Sequence, residues 1–308
     1  MVNKSQVWYY YNNIFARKDN KCISHVDYKT AFVEQYKSNV FHLAQQKGSR
    51  LRGAVKSETV TGTSHYFERI GATAAQVRTT RHSNTPQINT PHSRRKVTLA
   101  DYDWADLIDQ EDKVRMLISP QSEYAKAGAY AMGRAMDDAI IAAASGNAFG
   151  GVAGATSVAL PAGQKIAVGT TSLTVAKLIA AKEILDASDV DPDETKYLVC
   201  SAKEITSLLG DDKVTSADYN SVKALVAGQI DSFMGFNFIR TERIATVGGD
   251  NMALAFTQSA MGLALGKDIA TRISERDDKN YATQVFLSMT IGATRVEDEK
   301  VVEIACNV

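Results

Sequence analysis

Residues 120–145, PQSEYAKAGAYAMGRAMDDAIIAAAS, form the longest uninterrupted local pattern in the chain. Ser119 is a favoured N-terminal cap, and Pro120 is a residue favoured at the first helical position. The stretch holds no second proline, and Gly146 follows it. About 25 residues, each rising ~1.5 Å, make a rod roughly 38 Å long. The pattern therefore predicts one long helix that ends at Gly146.

Two stripes run along this predicted helix. One stripe consists of small residues and would let another backbone approach closely: Ala127, Gly128, Ala131, Ala135, Ala139 and Ala142. The second stripe consists of larger apolar side chains. Membrane helices dimerise through similar small stripes, but ordinary packing in a soluble protein is the favoured interpretation. The side chains predicted to pack this helix against the rest of the protein are Ala127, Ala131, Met132, Ala135, Met136 and Ile140.

The chain after the helix mixes helical and extended patterns. Residues 139–164 are uncharged and long enough to cross a bilayer, but their glycines and Pro161 indicate a helix end followed by turns. We therefore expect no membrane span. The patterns predict a β-hairpin over 158–174 and a β-rich region after Met252. Between them we predict helices over 174–190, 202–210 and 217–228 and strands over 196–201 and 236–240, which together indicate an α+β fold.

The chain before the helix is polar and extended. Two Thr-Pro steps, at 85–86 and 90–91, exclude a regular helix there. We predict a two-stranded excursion within residues 58–98. An isolated two-stranded ribbon is marginal in water, so this one should need a partner surface.

Two further helices are predicted in this part of the chain. Residues 29–47 carry apolar side chains at helical spacing and predict an amphipathic helix. The acidic cluster over 101–112 has Trp104, Leu107 and Ile108 at helical spacing. We interpret that cluster as the charged face of a short helix.

Charge is divided by position along the chain. Residues 1–100 hold 16 Lys or Arg against 5 Asp or Glu, which gives +11, and the other 208 residues hold 19 against 30, which gives −11. Such a chain can bind copies of itself head to tail. Alternatively, it can present its cationic part to a polyanion.

The sequence contains no recognisable catalytic set. It has neither a glycine-rich phosphate loop nor a spacing typical of metal ligands. Its three cysteines are odd in number and widely separated, which argues against a disulfide framework. The first twenty residues lack the apolar core of a secretory signal. We therefore expect no enzyme activity, no cofactor, no metal site and no signal peptide.

The basic run Arg94-Arg95-Lys96, with the basic side chains at 78, 81, 82 and 92, is the one feature of the sequence that indicates a binding surface. As a nucleic-acid contact they would neutralise phosphates, but no aromatic residues are interleaved for base stacking. The acidic cluster immediately downstream offers a complementary surface on another copy, so a protein partner is favoured and nucleic acid remains the alternative. The predicted subunit-interface residues are Arg78, Arg81, His82, His92, Arg94, Arg95, Lys96, Asp101, Asp103 and Asp106.

Three segments carry a resemblance to a known family. These are AFVEQYKSNVFHLAQQKGSRLR (31–52), RHSNTPQINTPHSRRKVTLADYDWADLIDQEDKVRMLISPQSEYAKAGAYAMGRAMDDAIIAAASGNA (81–148) and SVKALVAGQIDSFMGFNFIRTERI (221–244). They resemble major capsid proteins of tailed bacteriophages and prophages, of the Hong-Kong-97 type. The resemblance extends over about residues 30–308, and residues 1–28 lie outside it.

The resemblance implies an α+β tailed-phage major capsid fold. In that fold residues 29–55 would be the N-terminal arm, 56–104 an extended E-loop, and 166–250 an α/β axial domain. Residues 105–165 and 251–308 would form the peripheral domain, with the spine helix at about 120–145. Residues 1–28 would be an N-terminal extension.

The resemblance also implies partners and a location. Members of the family assemble from copies of one subunit into hexamers and pentamers of an icosahedral head around double-stranded DNA, which is held without sequence specificity. A separate scaffolding protein, a portal and possibly a decoration protein are implied for this chain. The expected location is the virion capsid, with assembly in the host bacterial cytoplasm.

Overall fold

The computed structural model describes residues 44–109, 121–210 and 232–307. Within them the chain forms three helices and fifteen strands, which are grouped in three sheets. The helices are α1 (Gln121–Ser145), α2 (Val175–Ala187) and α3 (Ala202–Leu209). The strands are β1 (Lys56–Thr59), β2 (Ser64–Ile70), β3 (His92–Thr98), β4 (Ala100–Ile108), β5 (Ala148–Gly150), β6 (Thr156–Val158), β7 (Lys165–Ile166), β8 (Lys196–Cys200), β9 (Ser232–Phe233), β10 (Phe236–Arg240), β11 (Thr246–Val247), β12 (Asp250–Thr257), β13 (Met261–Arg276), β14 (Ala282–Arg295) and β15 (Val301–Cys306).

A long sheet with strand order β1-β13-β14-β4 supports the long helix. Strand β14 alternates in burial from Thr283 to Ile291, and Val285, Leu287 and Met289 point inward and are buried. Helix α1 lies on this inner face with Met132, Met136 and Ile140 in the same core. The predicted long helix is confirmed over its described residues, whereas Ser119 and Pro120 lie outside them.

A second sheet of seven strands has the order β7-β15-β12-β8-β10-β9, and β11 pairs with β12. One face packs on Leu178 of α2 and Leu208 of α3. On the other face Leu254 and Phe256 join the core that contains α1. The predicted helices near 174–190 and 202–210 and strands near 196–201 and 236–240 are confirmed, as is the β-rich region after Met252.

The third sheet contains the predicted excursion. Strands β2 and β3 pair antiparallel from Ser64↔Thr98 to Ile70↔His92, so the two-stranded ribbon is confirmed. Short strands β5 and β6 extend it to the order β2-β3-β5-β6. The base of the ribbon is thus anchored to the chain that follows α1.

The acidic segment after β3 is a strand, and the predicted short helix is wrong. Residues 100–108 form β4, which pairs with β14 from Ile291↔Ala100 to Thr283↔Ile108. Tyr102 and Trp104 pack against the core, while Asp101 and Asp103, which alternate with them, are exposed. This is the period of two that a half-buried strand requires, and sheet pairing overrides the helical spacing of Trp104, Leu107 and Ile108.

The predicted hairpin over 158–174 is also wrong. Strand β6 pairs with β5, whereas β7 pairs parallel with β15 at the edge of the seven-stranded sheet. The two extended pieces therefore belong to different sheets, and Pro161 lies between them. The predicted helix over 217–228 and all but the last residues of the one predicted over 29–47 lie outside the described residues.

Candidate subunit-contact surface

The loop between β2 and β3 is the most solvent-exposed segment in the described structure. Residues 71–91 have no helix or strand, and every one is exposed except Thr90. Apolar side chains share this exposure, since Val77 is 88% exposed. No Asp or Glu occurs between Glu68 and Asp101. The loop therefore presents Arg78, Arg81 and His82 to solvent without a local acidic partner.

The basic run at 94–96 is divided between two faces of β3. Arg94 lies over the Tyr66 ring, 4.6 Å from its centre, and donates to the Val152 carbonyl. Lys96 is half-exposed beside it. Arg95 points the opposite way, where it is 6% exposed and ion-paired with Asp298. Burial lowers the pKa of the Arg95 guanidinium, and Asp298 opposes that effect.

Asp298 joins the base of the ribbon to the long sheet. Its carboxylate accepts from Arg95 and, at 2.5 Å, from Nε of Arg295. Arg295 is fully buried and donates to the carbonyls of Ala144, Gly146 and Val158 at 2.9, 2.7 and 3.0 Å. A cation is favourable at this position because the C-terminal carbonyls of a helix carry partial negative charge.

The predicted acidic interface residues lie on β4, an edge strand of the long sheet. Asp101 and Asp103 are exposed, and Asp106 is half-buried. Asp101 accepts from the Thr290 hydroxyl at 2.6 Å, and Asp106 accepts from the Leu107 amide at 2.9 Å. Across residues 44–109, 121–210 and 232–307, these three carboxylates form no ion pair. The structure therefore leaves their charge available to another molecule.

The remaining predicted residues divide between the surface and the subunit's own core. His92 is exposed at the end of the ribbon. Met132, Met136 and Ile140 are buried in the core, and Ala135 packs against it. Ala127 and Ala131 are half-buried. A backbone does approach α1 closely, but at Gly133, which is not part of the predicted small stripe: an added Cβ there would lie 2.6 Å from Gly48 Cα.

Asp137 on α1 is a site that the sequence analysis missed. It is fully buried and accepts from the Ser49 hydroxyl at 2.5 Å and from the Arg50 and Leu51 amides at 3.0 and 3.1 Å. Gln46 also donates to it. This carboxylate therefore binds the helix to the chain segment before β1. The neighbouring Asp138 instead lies nearer the surface, where it pairs with Arg243.

Metal binding and membrane insertion are two other functions to consider. In the described ranges, no three His, Cys, Asp or Glu side chains cluster in a way that could hold a metal ion. Nor does any helix there combine the length and the apolar character needed to cross a membrane.

Solved structures similar to this chain are phage and phage-like capsids. The capsid of cyanophage P-SCSP1u has a TM-score of 0.68 and 18% identity, covering 91% of this chain and 94% of its own. The capsid of Ralstonia phage GP4 has a TM-score of 0.69 and 11% identity, covering 94% and 98%. The capsid of a native GTA particle has a TM-score of 0.65 and 13% identity, covering 94% and 100%. At these identities the likeness establishes the fold.

The sequence comparisons bear on the family. Among curated proteins, none matches this chain significantly. The sequence profile of a family described as phage capsid protein matches residues 28–308, which is most of the chain. The chain folds as a tailed-phage capsid subunit and belongs to the phage capsid protein family.

Proposed function

We propose that the chain is the major shell subunit of an icosahedral phage head. Copies assemble into hexamers and pentamers, and the closed shell encloses double-stranded DNA without reading its sequence. The subunit acts through repeated contacts and has no catalytic role and no cofactor. Family membership supports the capsid role, and the surface of the single subunit supports the mode of assembly.

One observation carries the proposal: every residue of the loop at 71–91 except Thr90 is exposed on the single subunit. A segment of this length without regular structure is uncommon in a compact domain unless it is functional. Exposed Ile70 and Val77 gain nothing from solvent, whereas burial on a neighbour would stabilise them. We infer that the loop lies over an adjacent copy.

The charges of the loop and of strand β4 indicate which surface of the adjacent copy receives the loop. Arg78 and Arg81 are exposed in the loop, and Asp101 and Asp103 are exposed on β4. Complementary charges raise the rate of encounter and fix the register of an interface. We propose that the loop of one copy meets β4 of the next, and that Arg94, Lys96 and the histidines at 82 and 92 border this contact. Arg95 supports this contact indirectly, because its buried ion pair with Asp298 anchors the ribbon.

The segments have assigned roles in this proposal. The ribbon and its loop, within residues 56–104, act as the E-loop, and α1 acts as the spine helix of a peripheral domain built from 105–165 and 251–308. Residues 166–250 form the axial domain at the centre of each capsomer. Residues 29–55 act as the N-terminal arm, preceded by an extension over 1–28.

Other proteins complete the particle. We propose a separate scaffolding protein, a portal and possibly a decoration protein as partners. The subunit resides in the virion capsid after assembly in the host bacterial cytoplasm. These assignments follow from the family and are tested by recovery of the partners with assembling particles.

Reversing the charge of the loop tests the proposal. The double variant Arg78→Glu/Arg81→Glu should fold normally, because both side chains are exposed and Arg78 donates to the nearby Thr80 carbonyl. It should nevertheless sediment as unassembled subunit where wild type forms particles. The control Arg272→Glu/Lys279→Glu changes the same charge on exposed residues of the β13–β14 hairpin. Normal particles from the loop variant would contradict the proposed contact.

Nucleic-acid binding by the same loop is the second candidate. It is favoured by the absence of acidic residues between 68 and 101. Fluorescence anisotropy of labelled duplex DNA with the unassembled subunit separates the two functions. Tight, salt-sensitive binding that is lost in Arg78→Glu/Arg81→Glu would favour the second candidate, because phosphate contacts release counterions.

A further inference from the structure

Four arginines line one cleft beside α1. The cleft has a volume of about 330 Å³ and is lined by Arg50, Arg134, Arg240 and Arg243 together with Glu242. These residues come from three places: the segment before β1, the middle of α1, and the end of β10. Guanidinium groups gathered at this density repel one another unless anions lie among them.

Each carboxylate at the cleft is already engaged. Asp138 pairs with Arg243, and the Glu242 carboxylate accepts from the Ala202 amide at 2.9 Å. Asp137 is satisfied by its own donors beneath the cleft. Within the described ranges, the guanidinium groups of Arg50, Arg134 and Arg240 have no carboxylate within 4 Å.

Hydrogen bonds hold the arginines in place. Arg134 donates to the Gln45 side chain and the Gln46 carbonyl at 2.9 and 3.2 Å, and Arg50 donates to the Arg240 carbonyl. Gln46 in turn bridges Asp137 and Thr241. A site held rigid before binding loses less conformational entropy when it binds. The cleft is therefore organised for carboxylates, which match the fork of a guanidinium.

An acidic loop lies elsewhere on the same subunit. Residues 186–194, DASDVDPDE, expose Asp186, Asp189, Asp191 and Asp193, and no Lys or Arg occurs between Lys182 and Lys196. None of these four aspartates forms an ion pair with any described residue. Turns at 188–189 and 192–193 expose these side chains, which can therefore enter a cleft.

The two features lie at opposite ends of the same strands. Strands β8 and β10 are parallel, with Arg240 paired with Cys200 at the cleft end and Phe236 paired with Lys196 at the other. The acidic loop leads into Lys196, and four strand steps of about 3.3 Å separate it from the cleft. Glu194 fixes the loop there, since it accepts from the Ser259 amide and pairs with Lys300 at 3.3 Å.

We infer that the arginine cleft of one subunit receives the acidic loop 186–194 of the next. Because the two surfaces differ and lie at opposite ends of the same strands, the contact is head to tail, and contacts of this kind form a ring when the rotation between copies closes. A cleft of about 330 Å³ suits one or two carboxylate side chains and excludes a DNA duplex. This inference rests on the proposed shell function and adds a second charged contact to it.

A charge swap tests the inference. Arg240→Glu should raise the protein concentration needed for assembly about tenfold or more, because it places a carboxylate opposite the acidic loop. Adding Asp193→Lys should restore assembly, because the pair is then rebuilt with reversed sign. The matched control is Arg240→Glu/Asp277→Lys, which has the same net charge but alters an exposed aspartate in the β13–β14 turn. Circular dichroism and thermal unfolding check that every variant is folded.

The outcomes are distinct. Rescue by Asp193→Lys and not by Asp277→Lys supports the contact. The inference fails if Arg240→Glu assembles like wild type, if neither second change rescues it, or if both do so equally. Loss of duplex DNA binding in Arg240→Glu with assembly intact would assign the cleft to nucleic acid. If wild type itself forms no particles, it is the proposed shell function that fails.

Discussion

Arg295 connects three parts of the fold through one buried guanidinium. Its donors reach the end of α1, the carbonyl of Val158 and the carboxylate of Asp298. Arg295→Ala should lower the free energy of unfolding by about 3–5 kcal/mol, because it leaves buried acceptors unpaired and removes one partner of a buried ion pair. Urea unfolding of the unassembled subunit measures the loss. The control Arg272→Ala, on the exposed edge of β13, should leave the midpoint unchanged, and an equal loss in both variants would contradict this role.

Two buried thiols give a pH-dependent prediction. Burial raises the pKa of Cys200 and of Cys306 to about 12, from an ordinary value of 9.0. Both thiols therefore stay protonated in the folded subunit at pH 8, and their contribution to stability is complete below pH 9. As the pH rises from 9 towards 12 the unfolded chain ionises first, so stability should fall.

Thiol labelling at pH 8 checks this prediction. Denatured subunit should react at all three cysteines of the sequence. Folded subunit should react at one position at most, Cys22, which lies outside the described residues. Labelling of a second thiol at the rate of a free cysteine would show that the burial is wrong.

Long-range partners explain why these residues were not predicted. Asp137 and Asp138 are adjacent, but successive helical residues point about 100° apart, so one is buried beneath Gln46 and the other meets Arg243. Similarly, strand alternation sends Arg95 inward from a run that reads as uniformly basic. Nothing local distinguishes these side chains from their neighbours.

At the scale of elements, strong local patterns predicted the structure well. The long helix, the ribbon with its Thr-Pro loop and the C-terminal strands follow from periodicity and proline chemistry. Strand β4 does not, because its Trp104, Leu107 and Ile108 fit a helix as well as a strand. These residues form a strand because they pair with β14, and β14 lies far away in the sequence.

The contact of α1 with the segment before β1 predicts a mutational effect. Gly133→Ala should destabilise the subunit although alanine favours helices by about 1 kcal/mol over glycine, because the new methyl group would collide with the Gly48 backbone. Gly53→Ala is the control, since an added Cβ there meets nothing within 4 Å. Thermal unfolding compares the two. Gly133→Ala with raised stability would contradict the close approach.

The exposed loop predicts a change in proteolysis on assembly. Trypsin should cleave unassembled subunit rapidly after Arg78 and Arg81, because exposed chain without regular structure is readily cut. In particles the same bonds should resist cleavage if a neighbour covers the loop. Mass spectrometry of the fragments locates the cuts. Equal cleavage rates in the two states would mean that the loop is uncovered.

At the scale of the molecule, the division of charge between +11 and −11 becomes spatial. The basic loop at 71–91 projects from the third sheet, and exposed aspartates lie on β4 and on the loop 186–194. Among the described residues, Arg78, Arg81 and these aspartates form no ion pair. In the proposed shell, contacts between neighbouring copies would pair these charges.

The most direct measurement is a cryo-electron microscopy reconstruction of particles assembled from the wild-type subunit with its scaffolding partner. The account predicts a closed icosahedral shell of hexamers and pentamers in which residues 71–91 of each copy cross onto β4 of a neighbour. A closed shell whose loops contact no neighbouring copy would contradict the proposed contact. A subunit that forms no shell under any assembly condition would contradict the central claim.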